Sequence, residues 1–286
     1  MEELLTTKEV ARLLRVNEKK VYQLIKEAGL PHVRIAGKWL FPKEHLNHWL
    51  RERIQTEKDL RLGGSDDPLL LKFLSSFNRK DPLQRTVFYA AIGSRLGLMA
   101  LKEAKVEGCC CHLLDPETQE YNLPFLKKWF QAGTYVVVTL WHRRQGLYLA
   151  KGNPLGIKDL KDAVSKGARF INRNKGSGTR HLLDLILEQE NISSEEVVGF
   201  RQEVSTHFEV ALKVFLGEAD AGLGIEYMAH LFGLEFIPLV EERFDLVFSS
   251  LVWETEKVKN FLSFLFSANW HKVPGYSFRD TGKILV

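Results

Sequence analysis

The chain has 286 residues, of which 45% are hydrophobic and 27% are charged, and its formal net charge at pH 7 is +4. This length favours two domains, and the mild positive charge permits an anionic partner such as nucleic acid without requiring one. The start "MEELLTTKEV" is acidic and polar, and no apolar run reaches the roughly 18–20 residues that cross a membrane. We therefore expect a cytoplasmic protein without a membrane partner.

Two short helices joined by a tight turn are predicted near the N-terminus. Thr6 precedes the first helix, and Glu9 has the spacing of a capping box with it. Asn17 is a good N-cap for the second helix, and Gly29 ends that helix. This arrangement is a helix-turn-helix, whose second helix turns polar and basic side chains outward, where they can meet bases and phosphates.

The stretch "HVRIAGKWLF" predicts a β-hairpin with its turn at Ala36-Gly37 and basic residues near the tip. Such a hairpin is a candidate wing. The stretch "PKEHLNHWLRERI" then predicts a third helix with Pro42 in its first turn. The N-terminal segment is therefore predicted to be a helix-turn-helix with a wing.

The stretches "LTTKEVARLL", "RVNEKKVYQLIKEAGLP" and "VRIAGKWLFPKEHLNHWL" resemble the excisionase-type, MerR-related winged helix-turn-helix family. The resemblance implies a DNA-binding domain over residues 1–54, with the second helix in the major groove and the wing on the backbone or minor groove. A small interaction module that does not touch DNA is the alternative. By position, the resemblance assigns contacts with double-stranded DNA to Lys19, Lys20, Tyr22, Gln23, Arg34 and Lys38.

Residues 55–84 are predicted to connect two domains, because a charged stretch breaks at Gly63-Gly64-Ser65. A regulator that reads two half-sites needs a two-fold dimer, so we interpret the apolar helix that follows as a candidate dimerisation helix of a homodimer. Docking onto the next domain is the alternative. The apolar residues of this helix are Leu69, Leu70, Phe73, Leu74 and Phe77.

Strand and helix signals alternate over residues 85–286. This alternation predicts an α/β domain with parallel sheets, in which ligands bind at the carboxyl ends of the strands. Three consecutive cysteines, residues 109–111, are expected as buried thiols of one strand, since no metal-site spacing occurs. The predicted strands include "TVFYAAIGS", "VEGCCCHLLD", "ARFINRN", "EVVGFRQEV" and "DAGLGIE", with "TYVVVTL" and "GLYLAKG" as two separate strands.

The loop "FINRNKGSGTR", residues 170–180, brings three cations, two hydroxyls and two glycines together just before an amphipathic helix. Free N–H groups at a helix start form a ready anion site. The glycine spacing fits neither a Walker A loop nor a dinucleotide-binding fingerprint. Gly93-Ser94 and residues 204–207 follow other predicted strands, and ordinary helix capping is the alternative reading of their hydroxyls.

The pattern Arg173-x-x-x-Ser177-Gly178-Thr179 resembles the oxyanion loop of periplasmic phosphate-binding proteins and their tungstate relatives. With "GS" after the first strand, "HLLDPETQEYN" and "EADAGLGIE", the domain resembles periplasmic-binding-protein-like domains related to molybdate- and tungstate-binding proteins. The resemblance implies two lobes that close on a ligand. By position, it assigns the anion to Ser94, Arg173, Ser177, Gly178, Thr179, Arg180, Ser205, Thr206 and Tyr227.

Two features leave details of this site open. Arg173 is expected to supply the principal charge, whereas Arg180 either contacts the anion or clamps the lobe. His112 and Asn122 are weaker candidates. The sequence has Cys111-His112-Leu113 where a molybdate protein usually offers a serine, so the identity of the oxoanion stays open.

The sequence therefore predicts an α/β protein with an N-terminal winged helix-turn-helix and a two-lobed type II periplasmic-binding-protein-like domain over residues 85–286. We expect a one-component transcription regulator that senses molybdate or tungstate as its effector. No GxSxG or HExxH motif occurs, so we expect no catalysis, no cofactor and no metal cation. The alternatives are another small ligand in the same cleft, or an excisionase-like DNA-architectural protein without a ligand response.

Overall fold

The computed structural model of the chain describes residues 3–54, 59–80, 86–268 and 272–286. The chain divides into two compact units, Met1–Lys58 and Asp59–Val286. Residues 55–58 and 81–85, which include both ends of the predicted connector, lie outside the described residues. Among the described residues, no helix is both long and apolar enough to cross a lipid bilayer.

The described part of the first unit combines short helices with a small antiparallel sheet. Thr6 caps the first helix and forms the reciprocal capping box with Glu9, which confirms the prediction. Asn17 caps the second helix, and Gly29 ends it with a left-handed backbone at φ 60°. The elements are β1 (Leu4–Thr6), α1 (Thr7–Leu13), α2 (Glu18–Ala28), β2 (Val33–Ile35), β3 (Lys38–Pro42) and α3 (Lys43–Ile54).

Strands β2 and β3 form the predicted wing hairpin. Their turn uses positive φ angles at Ala36, 48°, and Gly37, 78°. Strand β3 lies between β1 and β2, and it buries Phe41 in the core of the unit. Val10 of α1 and Val21 of α2 are also fully buried there, so the helices and the wing share one hydrophobic core.

The second unit is a mixed sheet with helices on it. Its strands are β4 (Leu60–Gly64), β5 (Val87–Ala91), β6 (Gly108–Cys111), β7 (Tyr135–Leu149), β8 (Phe170–Arg173), β9 (Glu203–Val204), β10 (Ala221–Ile225), β11 (Glu235–Ser249) and β12 (Tyr276–Ser277). Its helices are α4 (Pro68–Lys80), α5 (Ser94–Lys102), α6 (Leu123–Trp129), α7 (Leu160–Ser165), α8 (Gly178–Gln189), α9 (His207–Phe215), α10 (Glu226–Phe232), α11 (Ser250–Trp253) and α12 (Glu256–Ser267).

Strands β7 and β11 divide the second unit into two lobes. Each is 15 residues long, and they pair antiparallel with each other over their lengths. Strands β4, β5 and β6 lie beyond β11 and form the first lobe, whereas β10, β8 and β9 lie beyond β7 and form the second lobe. Each lobe has its own hydrophobic clusters, with Phe244 in one of the first lobe and Phe170 in one of the second.

The structure corrects three predictions about these strands. "TYVVVTL" and "GLYLAKG" are not separate strands, because both belong to β7, and "EVVGFRQEV" contributes only the two residues of β9. The charged residues between the two apolar runs of β7 interrupt the pattern, but Arg143 and Gln145 are fully buried with carboxylate partners. Parallel pairing is confined to the lobes, where it joins β4 to β5 and β6, and β8 to β9 and β10.

Residues 60–80 belong to the second unit, which corrects the predicted linker. Strand β4 pairs in parallel with both β5 and β6. Gly64 does not mark a chain break: a Cβ added there would lie 2.1 Å from the Cys110 carbonyl oxygen, so the glycine permits close backbone contact. Helix α4 buries Leu70 and its apolar neighbours in the first lobe. This apolar face stabilises its own chain, and homodimer formation stays a prediction.

We expect Leu70→Ala to lower the free energy of unfolding by about 2–5 kcal/mol, because it removes a fully buried side chain. Leu71→Ala is the matched control, since Leu71 lies on the same helix and is 41% exposed, and its effect should stay below about 1 kcal/mol. Chemical denaturation followed by circular dichroism measures both. Equal effects would contradict the assignment of α4 to the core.

Candidate functional site

The two lobes touch through the loops that follow β5 and β8. The Arg95 N–H donates to the Gly176 carbonyl over 3.1 Å, and Nε2 of His181 lies 2.8 Å from the Leu114 carbonyl oxygen. A Cβ added to Gly93 would lie 3.0 Å from the same Gly176 oxygen. Ser94, Ser177 and Thr179, which lie at the ends of these loops, are buried.

Ser94 begins α5 and is fully buried at this interface. Its Oγ lies 2.8 Å from the Oγ of Ser65 and accepts the N–H of His112 over 3.2 Å. Gly178 begins α8 opposite His112, and a Cβ at Gly178 would lie 2.5 Å from the imidazole. The loops that contain Ser94 and Gly178 therefore face each other across the lobes.

Arg173 ends β8 and is 3% exposed. Its Nη2 donates to the Ser205 carbonyl over 2.7 Å, so Ser205 contributes a backbone oxygen here. Its Nη1 lies 3.9 Å from Oδ2 of Asp66, across the lobes. Burial lowers the pKa of Arg173, whereas Asp66 acts to raise it, and a guanidinium keeps its charge in proteins. Arg173 therefore places a positive charge between the lobes.

The carboxylate of Asp66 lies at the N-terminus of α9. Its Oδ2 accepts the backbone N–H of His207, the first residue of that helix, over 2.8 Å. Burial raises the pKa of Asp66, and the nearby Arg173 and the His207 N–H act in the opposite direction. The site thus already holds an anionic group against a helix N-terminus and a guanidinium.

Several buried polar atoms of the second lobe are unpaired within the described part of the chain: Nε of Arg173, both ring nitrogens of His207, and Oγ1 of Thr179. The pKa of His207 lies well below its usual value, chiefly because of burial and further because of Arg173 and Arg143. His207 is therefore neutral at pH 7. Buried polar atoms are normally paired, so these atoms are candidate ligand contacts.

A second group of charges occupies the middle of the two long strands. Arg143 of β7 contacts Glu242 of β11 through Nε, and its Nη1 lies 2.6 Å from Oδ2 of Asp67. Burial alone would raise the pKa of Glu242, but Arg143 and His112 together hold it below its usual value. Tyr276 donates to Asp67 over 2.8 Å. This cluster ties the strands to the start of α4.

Buried charges of both signs lie at the interface of the lobes. Two guanidinium groups face three carboxylates, and both histidines have lowered pKa values because of burial. Among the described residues, no group of three His, Cys, Asp or Glu side chains is placed to hold a metal ion. These residues therefore place two guanidinium groups beside buried carboxylates at the junction of the lobes. The group consists of Asp66, Asp67, Arg143, Arg173 and Glu242.

Arg180 is engaged within its own lobe. Its Nε lies 2.9 Å from Asp184, its Nη1 lies 2.9 Å from Glu203, and its guanidinium stacks 4.1 Å over the ring of Phe200. The Ser177 hydroxyl accepts the N–H of Arg180 as the cap of α8. These contacts favour the clamping role for Arg180 over anion contact.

Three other candidates also have structural partners. Thr206 caps α9 and forms the predicted capping box with Glu209. The ring of Tyr227 lies 5.9 Å from that of Tyr276 and so borders the charge cluster. Asn122 donates to Asp245 over 2.8 Å and accepts the Leu113 N–H over 2.7 Å, so it holds the loop after β6. Contact of the proposed ligand residues with an anion stays a prediction.

Sequence reasoning missed five residues of the interface. Ser65, Asp66 and Asp67 were hidden in the supposed linker, although "GGSDDP" is a polar loop between an apolar run and a helix, like the "GS" loop after β5. Arg143 and Glu242 lie inside strands, where the sequence shows only charged residues in an apolar context. No sequence motif predicts these two residues, because their pairing joins positions 99 residues apart.

The predicted DNA-binding residues are exposed on the first unit. Lys19, Tyr22 and Gln23 share one face of α2, opposite the buried Val21, and Nζ of Lys20 lies 3.0 Å from Oε1 of Gln23. The wing residues are exposed as well, and the Arg34 guanidinium lies 5.3 Å from the Trp39 ring. Their contact with DNA stays a prediction. Lys38 is the remaining wing residue of the set.

Comparison with known proteins decides the family. A family model described as "PBP superfamily domain" matches residues 74–266, and one described as "Helix-turn-helix domain" matches residues 4–54. The chain belongs to the PBP superfamily. Both resemblances recognised in the sequence are thereby confirmed, and a helix-turn-helix joined to a PBP domain is the architecture of a ligand-sensing transcription regulator.

Individual proteins and solved structures resemble this PBP protein over most of their length. The "Uncharacterized protein YvgK" of Bacillus subtilis (strain 168) is 31% identical over 306 aligned positions, which cover 98% of this chain and 97% of the relative. The effector-binding domain of QuiR in complex with shikimate has a TM-score of 0.51 at 15% identity, covering 72% of this chain and 94% of that domain. The structure of the tungstate ABC transporter from Geobacter sulfurreducens has a TM-score of 0.52 at 17% identity, covering 73% of this chain and 94% of that chain. The two structural likenesses show the fold of the PBP unit.

We expect Arg143→Met to lower the free energy of unfolding at neutral pH by about 3–5 kcal/mol, because it leaves buried carboxylates without their guanidinium. In the unchanged PBP domain the lowered pKa of Glu242 contributes stability at neutral pH, and this contribution is lost as pH falls through that pKa. In Arg143→Met the pKa shift of Glu242 reverses, because burial then raises its pKa. The free energy of unfolding lost in the variant should therefore shrink as pH falls toward about 5.

Arg144→Met is the matched control for this change, since the Arg144 side chain is 51% exposed and pairs with Glu226. It should cost less than about 1 kcal/mol at either pH. Urea denaturation of both variants at two pH values gives the comparison. A loss in Arg143→Met that is equal at both pH values would contradict the assigned charge pairing.

Proposed function

We propose that this regulator binds double-stranded DNA through α2 and the wing, and that its PBP domain senses a small oxoanion, with molybdate and tungstate as the first candidates. One observation carries the proposal: a carboxylate already lies between the lobes, at the α9 N-terminus and near the buried Arg173. A tetrahedral oxoanion presents the same kind of acceptor oxygens. The tungstate transporter structure with the same fold supports this ligand class.

The proposed ligand contacts come from both lobes. Arg173 and the N–H groups at the starts of α8 and α9 belong to the second lobe, whereas Ser94 belongs to the first. An anion that contacts both sets stabilises the closed arrangement by its differential affinity for closed over open lobes. That difference in binding free energy is the signal available to the DNA-binding unit.

An organic carboxylate is the second candidate, and the same observation favours it. The group that accepts the His207 N–H at the start of α9 is the planar carboxylate of Asp66 rather than a tetrahedral anion. The QuiR effector domain, whose structure contains shikimate, has the same fold. A panel of molybdate, tungstate, sulfate, phosphate and shikimate separates the two classes by the ligand-induced rise in melting temperature. An excisionase-like architectural role predicts no rise with any of them.

The remaining assignments follow from this function. Reading two half-sites requires a homodimer, and DNA binding favours a cytoplasmic location. We assign no catalytic role, because the interface histidines and carboxylates are accounted for by buried pairing and by ligand contact. The proposed domains are residues 1–54 for DNA and 85–286 for the ligand, with β4 and α4 added to the ligand domain.

We expect Arg173→Ala to weaken tungstate binding by about 10–100-fold, because it removes a charge-assisted donor from a buried site. Arg180→Ala should weaken it less, since Arg180 is held by Asp184 and Glu203. Isothermal titration calorimetry measures both, and circular dichroism checks that each variant is folded. A larger loss in Arg180→Ala would reverse the assignment of the principal charge.

We expect Lys19→Ala combined with Lys20→Ala to weaken binding to duplex DNA and to reduce the slope of log affinity against log salt by about 1–2. Lys127→Ala combined with Lys128→Ala is the control, since it removes two exposed adjacent lysines from α6 of the other unit. Fluorescence anisotropy with a labelled duplex at several salt concentrations measures both. Equal slopes in the two double variants would exclude α2 as the DNA-reading helix.

A further inference from the structure

The Asp66 carboxylate occupies the position that the proposed anion needs. We propose that Asp66 is an internal competitor of the ligand: its carboxylate accepts the His207 N–H at the start of α9 and faces Arg173, so an anion binds only after Asp66 is protonated or displaced. This inference rests on the proposed function and adds to it a residue that sets which anions bind and at what pH. Three observations support it.

The first observation is the contact itself. Oδ2 of Asp66 accepts the His207 N–H over 2.8 Å and lies 3.9 Å from Nη1 of Arg173. Both donors belong to the second lobe, whereas Asp66 follows β4 in the first lobe. One carboxylate therefore links the lobes through the same groups that would hold a bridging anion. A helix N-terminus offers few free N–H groups, so two anions cannot share this one without competition.

The second observation is the set of unpaired atoms beside this carboxylate. Nε of Arg173 and both ring nitrogens of His207 are buried and lack a hydrogen-bond partner within the described residues. Asp66 satisfies the His207 backbone but not these side chains. A ligand with more oxygen atoms than one carboxylate can engage them, which gives it an advantage over Asp66 once the charges permit its entry.

The third observation is the charge of the surroundings. Several groups of the first lobe and the long strands face Asp66 together with the donors of the second lobe. The two guanidinium groups around Asp66 are balanced by its own carboxylate and by that of Asp67, so a dianion finds no net attraction there. Loss of the Asp66 charge leaves a net positive charge beside the donors. The groups around Asp66 are Asp67, Tyr89, Arg143, Tyr148, Arg173 and His207.

Anion binding should therefore be accompanied by proton uptake. Burial already raises the pKa of Asp66, and a neighbouring anion raises it further. Affinity should then fall as pH rises, because the charged carboxylate must be neutralised or moved at higher pH. Burial lowers the pKa values of His112 and His207, and a neighbouring anion acts to raise them, so these imidazoles can also take up protons. A variant of Asp66 alone removes only one part of the uptake.

Tungstate binding to the full chain tests the inference, with titration calorimetry in buffers of different ionisation enthalpy between about pH 6.5 and 8.5. Asp66→Asn keeps an acceptor for the His207 N–H but removes the charge. It should bind tungstate at least about tenfold more tightly at the upper pH and take up about one proton fewer. Glu218→Gln is the control, because it removes an exposed carboxylate that pairs with Lys213, and it should match the unchanged chain.

Hydrogen exchange of the His207 amide provides a measurement that needs no ligand. Asp66→Ala removes its acceptor, so exchange should accelerate at least about tenfold, whereas Glu218→Ala should leave it unchanged. The inference alone is overturned if Asp66→Asn binds tungstate no more tightly than the unchanged chain. It is also overturned if the exchange rate of the His207 amide is unaltered in Asp66→Ala. A third outcome is that neither the unchanged chain nor Asp66→Asn binds tungstate or molybdate, while the His207 amide exchanges faster in Asp66→Ala. That outcome overturns the proposed oxoanion function and the inference with it.

Discussion

The fold of the larger unit depends on a charged side chain placed inside a sheet. Arg143 lies fully buried in the middle of β7, where its guanidinium meets Glu242 of the neighbouring strand and Asp67 at the start of α4. A buried guanidinium is tolerated only when carboxylates and hydrogen bonds compensate its desolvation. The pairing of β7 with β11 and the position of α4 are therefore linked, because Glu242 of β11 and Asp67 before α4 both pair with Arg143.

Much of this protein follows from local sequence signals. The capping boxes at Thr6 and Thr206 and the helix end at Gly29 are visible because each depends on residues within a few positions. The winged fold and the two-lobed fold were also recognisable from their motifs. The position of Arg173 at the end of a strand follows from the same pattern.

The remainder depends on contacts between distant residues. The double glycine before Ser65 looks like a flexible break, but Gly64 is required because the backbone of Cys110 lies too close for a side chain. The charged middle of β7 looks like a loop, and only the pairing with β11 shows that it is a strand. Asp66 was overlooked for the same reason: its partners lie more than a hundred positions away, so no local pattern predicts them.

The two lobes share one continuous sheet, and this limits how they can move. β7 and β11 stay hydrogen-bonded from one lobe to the other, with register irregularities between Pro238 and Val240 and between Phe244 and Asp245. A flexible linker would let the lobes rotate freely, whereas a paired ribbon resists rotation through its twist. Lobe opening is thus an elastic deformation with a restoring torque. Its amplitude is set by the stiffness of the two strands.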